Sequence, residues 1–200
     1  REGEPAFEDR RFPDLLEHLD PGDALVVNDS RVFPARLVGR KPTGAAAEIL
    51  LLRPIDSDAH RWEALVRPGQ KLKPGRVVEV GEDLSVRIEA SREGGREVLL
   101  ETADDPWTAI ERHGLVPLPP YIRRESTEAD RERYQTVYAA HRGSVAAPTA
   151  GLHLTEELLE SVRRRGVRVV PITLHVGPGT FRPVEAPRLE EHRLEAEHQA

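Results

Sequence analysis

Ser85-Val86-Arg87-Ile88-Glu89-Ala90-Ser91-Arg92-Glu93-Gly94-Gly95-Arg96-Glu97-Val98-Leu99-Leu100-Glu101 decides the architecture of this chain. Apolar and polar residues alternate over Ser85 to Ala90, the period of a half-buried strand. Gly94-Gly95 breaks the run and Glu97 to Glu101 resumes it, which predicts a tight β-hairpin. Upstream, Phe33 to Val38, Ala47 to Leu52, Trp62 to Val66 and Val77 to Val80 are short β-rich pieces parted by Gly and Pro turns. About six strands at this spacing predict a small closed barrel or sandwich. The β-rich texture runs from about Val32 to Leu118.

On both sides the texture is α/β. Phe12, Leu15, Leu16 and Leu19 fall at i, i+3, i+4 and i+7, an amphipathic helix. Asp20-Pro21-Gly22-Asp23 turns the chain into Ala24-Leu25-Val26-Val27, a buried strand ending in the polar cluster Asn28-Asp29-Ser30-Arg31. Pro106 to Arg112 reads as a helix stopped at His113-Gly114. Thr127 to Ala140 reads as a helix with Thr127 as N-cap. Thr155 caps another, with Glu156 and Glu157 where the helix dipole favours negative charge. Gly166 ends it. Val167 to Leu174 is then a strand, and Pro171 confines it to an edge or a bulge. The reading is an α/β fold interrupted by an inserted β-domain, with residues 1–33 and 119–200 in the α/β part and 34–118 in the insertion.

Two hundred residues allow one or two domains with a real core. The net charge of −6 excludes a general polyanion binder but leaves room for local basic patches such as Arg163-Arg164-Arg165. With no cysteine, neither a disulfide framework nor a thiolate metal site exists. No apolar run reaches the roughly 18 residues of a membrane-spanning helix, and no signal peptide is visible, so a cytoplasmic protein is expected. The chain starts at Arg1, lacks methionine and stops at Ala200 after the charged run Leu189 to Glu197. It reads as a portion of a longer one.

Two runs carry the chemistry. Val145-Ala146-Ala147-Pro148-Thr149-Ala150-Gly151-Leu152-His153-Leu154 and Thr173-Leu174-His175-Val176-Gly177-Pro178-Gly179-Thr180-Phe181 each join small residues to a histidine, with a helix between them. Both histidines are expected to face one pocket. A neutral imidazole suits proton transfer near working pH, so His153 and His175 are the candidate acid–base pair. The bland alternative for each is a structural hydrogen-bond partner at a strand end. Gly177, Gly179 and Thr180 allow close backbone approach to a ligand, against the alternative of an ordinary turn. Pro148, Thr149 and Gly151 read the same way, with Thr149 offering a hydroxyl. Asn28 and Arg31 follow a strand, where α/β loops carry function. Arg31 suits a phosphate or a carboxylate, or else a structural ion pair with Asp29 or Glu48. Tyr121, Tyr134 and Tyr138 are candidates for stacking on an unpaired base, although helical spacing points Tyr134 and Tyr138 to the core.

Five motifs in order then resemble one family. Asn28-Asp29-Ser30-Arg31-Val32-Phe33-Pro34-Ala35-Arg36-Leu37, Gly114-Leu115-Val116-Pro117-Leu118-Pro119-Pro120-Tyr121-Ile122, Asp130-Arg131-Glu132-Arg133-Tyr134-Gln135-Thr136-Val137-Tyr138 and the two histidine runs resemble those of the S-adenosylmethionine:tRNA ribosyltransferase-isomerases. The resemblance implies an α/β domain interrupted by a β-barrel. It implies transfer of the ribosyl part of S-adenosylmethionine, a co-substrate, onto 7-aminomethyl-7-deazaguanine at the wobble position of a tRNA with a GUN-type anticodon. Epoxyqueuosine would form, with adenine and methionine released. The candidate substrate contacts are Asn28, Arg31, Pro148, Thr149, Gly151, Gly177, Gly179, Thr180, Phe181 and Tyr121. No metal and no membrane partner are expected, and a monomer is the default.

The chain departs from the family pattern in places. Leu154 replaces a usual phenylalanine, and Ala45-Ala46-Ala47 replaces a Gly-Gly-Lys run, which weakens any phosphate contact there. After His192, Leu194-Glu195-Ala196-Glu197 stands where the family has M-H-x-E. Two other readings compete. A metal-dependent hydrolase or lyase would use His153, His175 and His192, but their separations are wide and no HxH or HExxH pair supports it. A non-catalytic RNA-binding module would use the barrel and leave the glycine–histidine runs unexplained.

Overall fold

A computed structural model describes residues 8–92, 94–119, 121–177, 179, 188, 190 and 198–199. Its centre is a closed antiparallel barrel of β3 (Arg36–Arg40), β4 (Ala46–Pro54), β5 (Arg61–Arg67), β6 (Val77–Glu79), β7 (Ser85–Arg92) and β8 (Gly95–Glu101), in the order β3-β4-β5-β8-β7-β6. The hairpin read from the sequence is β7–β8, paired from Ser85↔Glu101 to Arg92↔Gly95. Gly94 takes the positive φ of +75° that its turn requires. The barrel closes where Arg40 pairs with Glu79. Gly39 makes the closure feasible, because a Cβ there would press on the Glu79 carbonyl and lie 2.8 Å from Val78 Cγ1.

Alternation fills the interior. Leu37, Ile49, Leu51, Val78, Val86, Ile88, Val98 and Leu100 are essentially fully buried. Each such side chain contributes about 1.5–3 kcal/mol on removal from water. Phe33, Trp62 and Trp107 meet at one end with ring centroids 4.9 to 5.5 Å apart. Trp107 belongs to α1 (Pro106–His113), which Asp105 caps by accepting from Thr108 N at 2.9 Å. Thus the aromatic cluster ties the barrel to the chain that leaves it.

Outside the barrel lie two short parallel pairs and one antiparallel pair, Leu174–His175 with His198–Gln199. β1 (Ala24–Asn28) pairs with β10 (Arg168–Ile172), and β2 (Ser30–Val32) pairs with β9 (His141–Ser144). α3 (Glu156–Arg164) precedes β10, and its N-cap Thr155 accepts from Leu158 N at 3.2 Å. Leu25, Val27 and Val169 pack with Leu154, Leu158 and Leu159 on the α3 side. The fold is therefore α/β with an inserted small barrel, as the alternating textures imply.

Two expected helices differ. Phe12–His18 forms a 3-10 helix with Pro13 in its first turn and no fully buried residue. The helix expected over Thr127 to Ala140 is α2, Glu128–Arg133 only. Thr127 caps it as expected, but Tyr134, Gln135, Thr136 and Tyr138 are drawn to tertiary partners that a continued helix would not reach. Gln135 accepts from Val32 N at 3.1 Å and donates to Val32 O at 2.6 Å, doing for β2 what a neighbouring strand would do. Hence the two tyrosines are partly or wholly buried without sharing a helix face.

Candidate functional site

β1 and β10 end side by side, Asn28 opposite Ile172. Ligands of parallel α/β sheets sit beyond such carboxyl ends. The Asn28 side chain prolongs the ladder past its end: Nδ2 donates to Leu174 O at 2.9 Å, and Oδ1 accepts from Leu174 N and Ser30 N at 3.1 Å each. Next to it, Asp29 is buried and accepts from Thr173 Oγ1 at 2.7 Å, with His141 Nε2 3.7 Å from its other oxygen.

β11 (Leu174–His175) lies beside the end of β9. The fully buried Ser144 hydroxyl accepts from Val176 N at 3.0 Å and donates to Ala146 O at 2.7 Å, while Val145 N donates to Val176 O at 3.2 Å. The two histidine-bearing runs of the sequence are therefore neighbours. The imidazole of His175 rests against Gly143, where a Cβ would lie 2.6 Å from Cε1 and 2.7 Å from Nε2. Gly143 has φ +155° and sits where the β2–β9 register shifts.

His153 has a different seat. It is exposed at the end of the 3-10 turn Thr149–His153 and stacks on Phe12 at 4.9 Å. In the same turn Thr149 is exposed and Gly151 is buried against Tyr138, with Pro148 half-buried just before it. Gly177 is half-buried with open space where a side chain would project. Gly179 is half-buried, while Thr180 and Phe181 lie outside the described residues, as does His192. Tyr121 is 74% exposed on the turn before α2.

Arg31 points out of β2 between buried Ser30 and Val32. Neither expected ion pair forms: Glu48 is held by Arg36 at 2.8 Å, and Asp29 by Thr173. Its register partner on β9 is Arg142, whose guanidinium lies 3.9 Å over the Trp107 ring. Among the described residues no group of three or more His, Cys, Asp or Glu is placed to hold a metal, and no helix is long and apolar enough to cross a membrane. Gly143, Ser144 and Gln135 escaped the sequence reading. The available signal was a glycine inside a strand, which marks a bulge or a close approach.

Fold and site together define an α/β protein whose barrel is inserted after a short strand bearing an exposed arginine, with a glycine-seated histidine at the end of its parallel pair. The chain belongs to the family described as queuosine biosynthesis protein, whose model matches residues 1–200. It is 51% identical to the S-adenosylmethionine:tRNA ribosyltransferase-isomerase of Pelotomaculum thermopropionicum, over 96% of this chain and 56% of that protein. It is 50% identical to the protein of that name from Heliobacterium modesticaldum, with the same coverage. The chain thus spans about half the length of these curated relatives. Among solved structures, S-adenosylmethionine tRNA ribosyltransferase from Thermotoga maritima is 32% identical, covering 82% of this chain and 45% of that one, with a TM-score of 0.35.

Proposed function

We propose that this chain carries out its part in an S-adenosylmethionine:tRNA ribosyltransferase-isomerase. The observation that carries the reading is identity of about half with proteins of that name along nearly all of this chain. The reaction moves the ribosyl moiety of S-adenosylmethionine onto 7-aminomethyl-7-deazaguanine in the wobble position of a GUN-anticodon tRNA, giving epoxyqueuosine in tRNA and releasing adenine and methionine. The setting is the cytoplasm and the protein is a monomer. The inserted unit is residues 34–118.

The chemistry asks for at least two proton-handling groups. The positive sulfur acidifies the neighbouring ribose C–H, so a base there can start elimination. The attacking amine must lose a proton, and adenine must gain one as it leaves. His175 and His153 are the proposed groups, since a neutral imidazole can accept or return a proton near neutral pH. Arg31, exposed and without an ion pair among the described residues, offers its fork to a tRNA phosphate or the methionine carboxylate. Pro148, Thr149, Gly151, Gly177, Gly179, Thr180, Phe181 and Tyr121 complete the proposed contacts, with Tyr121 free to stack on an unpaired base. The Asn28 amide, expected as a contact, is taken up by the backbone of Leu174 and Ser30.

The test uses S-adenosylmethionine labelled in its ribose, the full-length protein and tRNA bearing the aminomethyl-deazaguanine. Label is expected in the tRNA and absent when the tRNA lacks that base. No label in either tRNA overturns the reading.

A further inference from the structure

We infer that Asn28 and Gly143 are positioning residues that together seat the His175 imidazole, an inference resting on the proton-transfer role proposed for His175. Side chains fix the backbone on both sides of His175, adding to the pairing of Leu174 and His175 with Gln199 and His198 and to the bond from Val145 N to Val176 O. Before it, the Asn28 amide takes both polar groups of Leu174, donating to O at 2.9 Å and accepting from N at 3.1 Å. After it, the Ser144 hydroxyl accepts from Val176 N at 3.0 Å. The strand is thereby held at 174 and at 176, and residue 175 has little freedom to slide or roll.

The ring is then placed by a missing side chain. A Cβ at position 143 would lie 2.6, 2.7 and 2.9 Å from Cε1, Nε2 and Nδ1 of His175, far inside van der Waals contact. Only glycine leaves that seat open, and only glycine adopts a φ of +155° at ease. Gly143 therefore fixes how deep the nitrogen-bearing part of the ring sits, and Asn28 fixes where along the strand it sits. Both matter for proton transfer, because a displacement of about 1 Å costs on the order of 100-fold in rate.

Asn28→Asp tests the first residue with little change in shape. The carboxylate keeps acceptors for Leu174 N and Ser30 N but sets an oxygen against Leu174 O, where an N–H donated. Gly143→Ala tests the second. The first readout is the His175 Cε1–H resonance in the full-length, histidine-labelled protein, assigned by its loss in His175→Ala. Both variants are expected to move that resonance while those of His60, just before β5, and of His113, at the end of α1, stay in place.

The second readout is ribosyl transfer, with kcat expected to fall by roughly 10- to 100-fold while KM for S-adenosylmethionine stays about constant. An unmoved His175 resonance in folded Asn28→Asp and Gly143→Ala overturns the inference. So does a rise in KM at unchanged kcat for Asn28→Asp, which would make Asn28 a direct substrate contact. Absence of transfer by the unaltered protein sinks the proposed function alone, since the resonance still reports the seat. If Gly143→Ala fails to fold, the change is repeated in a His175→Ala background. Recovery of folding there supports the seat; continued failure assigns position 143 to backbone strain at its φ of +155°, and the resonance of His175 in Asn28→Asp then decides.

Discussion

The hydroxyl of Tyr138 occupies the space that a side chain at position 151 would need. A Cβ built on Gly151 meets that oxygen first and then Thr136 Cγ2 at 3.0 Å. Burial pushes the Tyr138 phenol above its usual pKa, and a bond with Thr136 partly offsets this. Gly151 thus has a packing reason to be glycine in addition to its proposed ligand role. Gly151→Ala is expected to destabilise the protein by about 1–3 kcal/mol, the usual cost of overpacking. Tyr138→Phe removes the offending oxygen, so Gly151→Ala should cost less in that background. Denaturant unfolding of the four proteins in the cycle checks this, and an additive result would refute the contact.

Arg31 separates binding from folding cleanly. Its side chain is exposed on β2 and forms no ion pair among the described residues, so Arg31→Ala should leave stability within about 0.5 kcal/mol. Loss of a charge-assisted bond is worth about 1.5–3 kcal/mol, or about 10- to 100-fold in affinity. Titration with tRNA and with S-adenosylmethionine should show that loss for one of them. Unchanged affinity for both would sink the role.

Much of the fold was legible because it rests on local rules. β4 to β8 announce themselves through alternation and through glycine in the β7–β8 turn. Thr127 and Thr155 are caps that sequence alone can name. What could not be read rests on distant partners. α2 stops at Arg133 because Gln135 bonds to Val32, 103 positions away. Asn28 was visible as a polar residue after a strand, but its partner Leu174 is 146 positions off. The expected ion pair of Arg31 with Glu48 failed because Arg36, nearer in the barrel, had already taken that carboxylate. Placing both histidines in small-residue runs was within reach of the sequence. That one ring would seat on Gly143 and the other on Phe12 was not.

Asp130 makes the acid limb of stability predictable. Arg124 grips its carboxylate with two bonds of 2.6 and 2.7 Å, and the Thr127 N–H and hydroxyl donate to it at 2.7 and 2.9 Å. The bonds from Arg124, then those from Thr127, hold its pKa far below the usual carboxylate range. A depressed folded pKa stabilises the native state fully above the unfolded value of about 3.9, and the contribution is lost as pH falls below it. Asp130→Asn should therefore lower stability near neutrality. The loss of stability on acidification below about pH 4 should also be shallower than in the unaltered protein. Unfolding curves across that range decide it, and parallel slopes would show that the carboxylate does not supply the acid dependence.

His175 and His153 were paired by sequence, yet their surroundings predict different responses to removal. His175 is half-buried on Gly143 with its backbone pinned on both sides, while His153 is exposed and stacked on Phe12. General acid–base catalysis contributes about 10²–10⁴-fold, so His175→Ala should cut ribosyl transfer by that order while the thermal midpoint stays near normal. The exposed ring of His153 is replaceable by solvent if it only covers Phe12, and His153→Ala would then leave transfer nearly intact. A loss as large as that of His175→Ala would instead place both imidazoles on the reaction path. Single-turnover rates of the two variants, with melting curves alongside, make the distinction. Collapse of folding in His175→Ala would mean that the ring is there to hold β11 against β9, and the proton-transfer role would pass to another group.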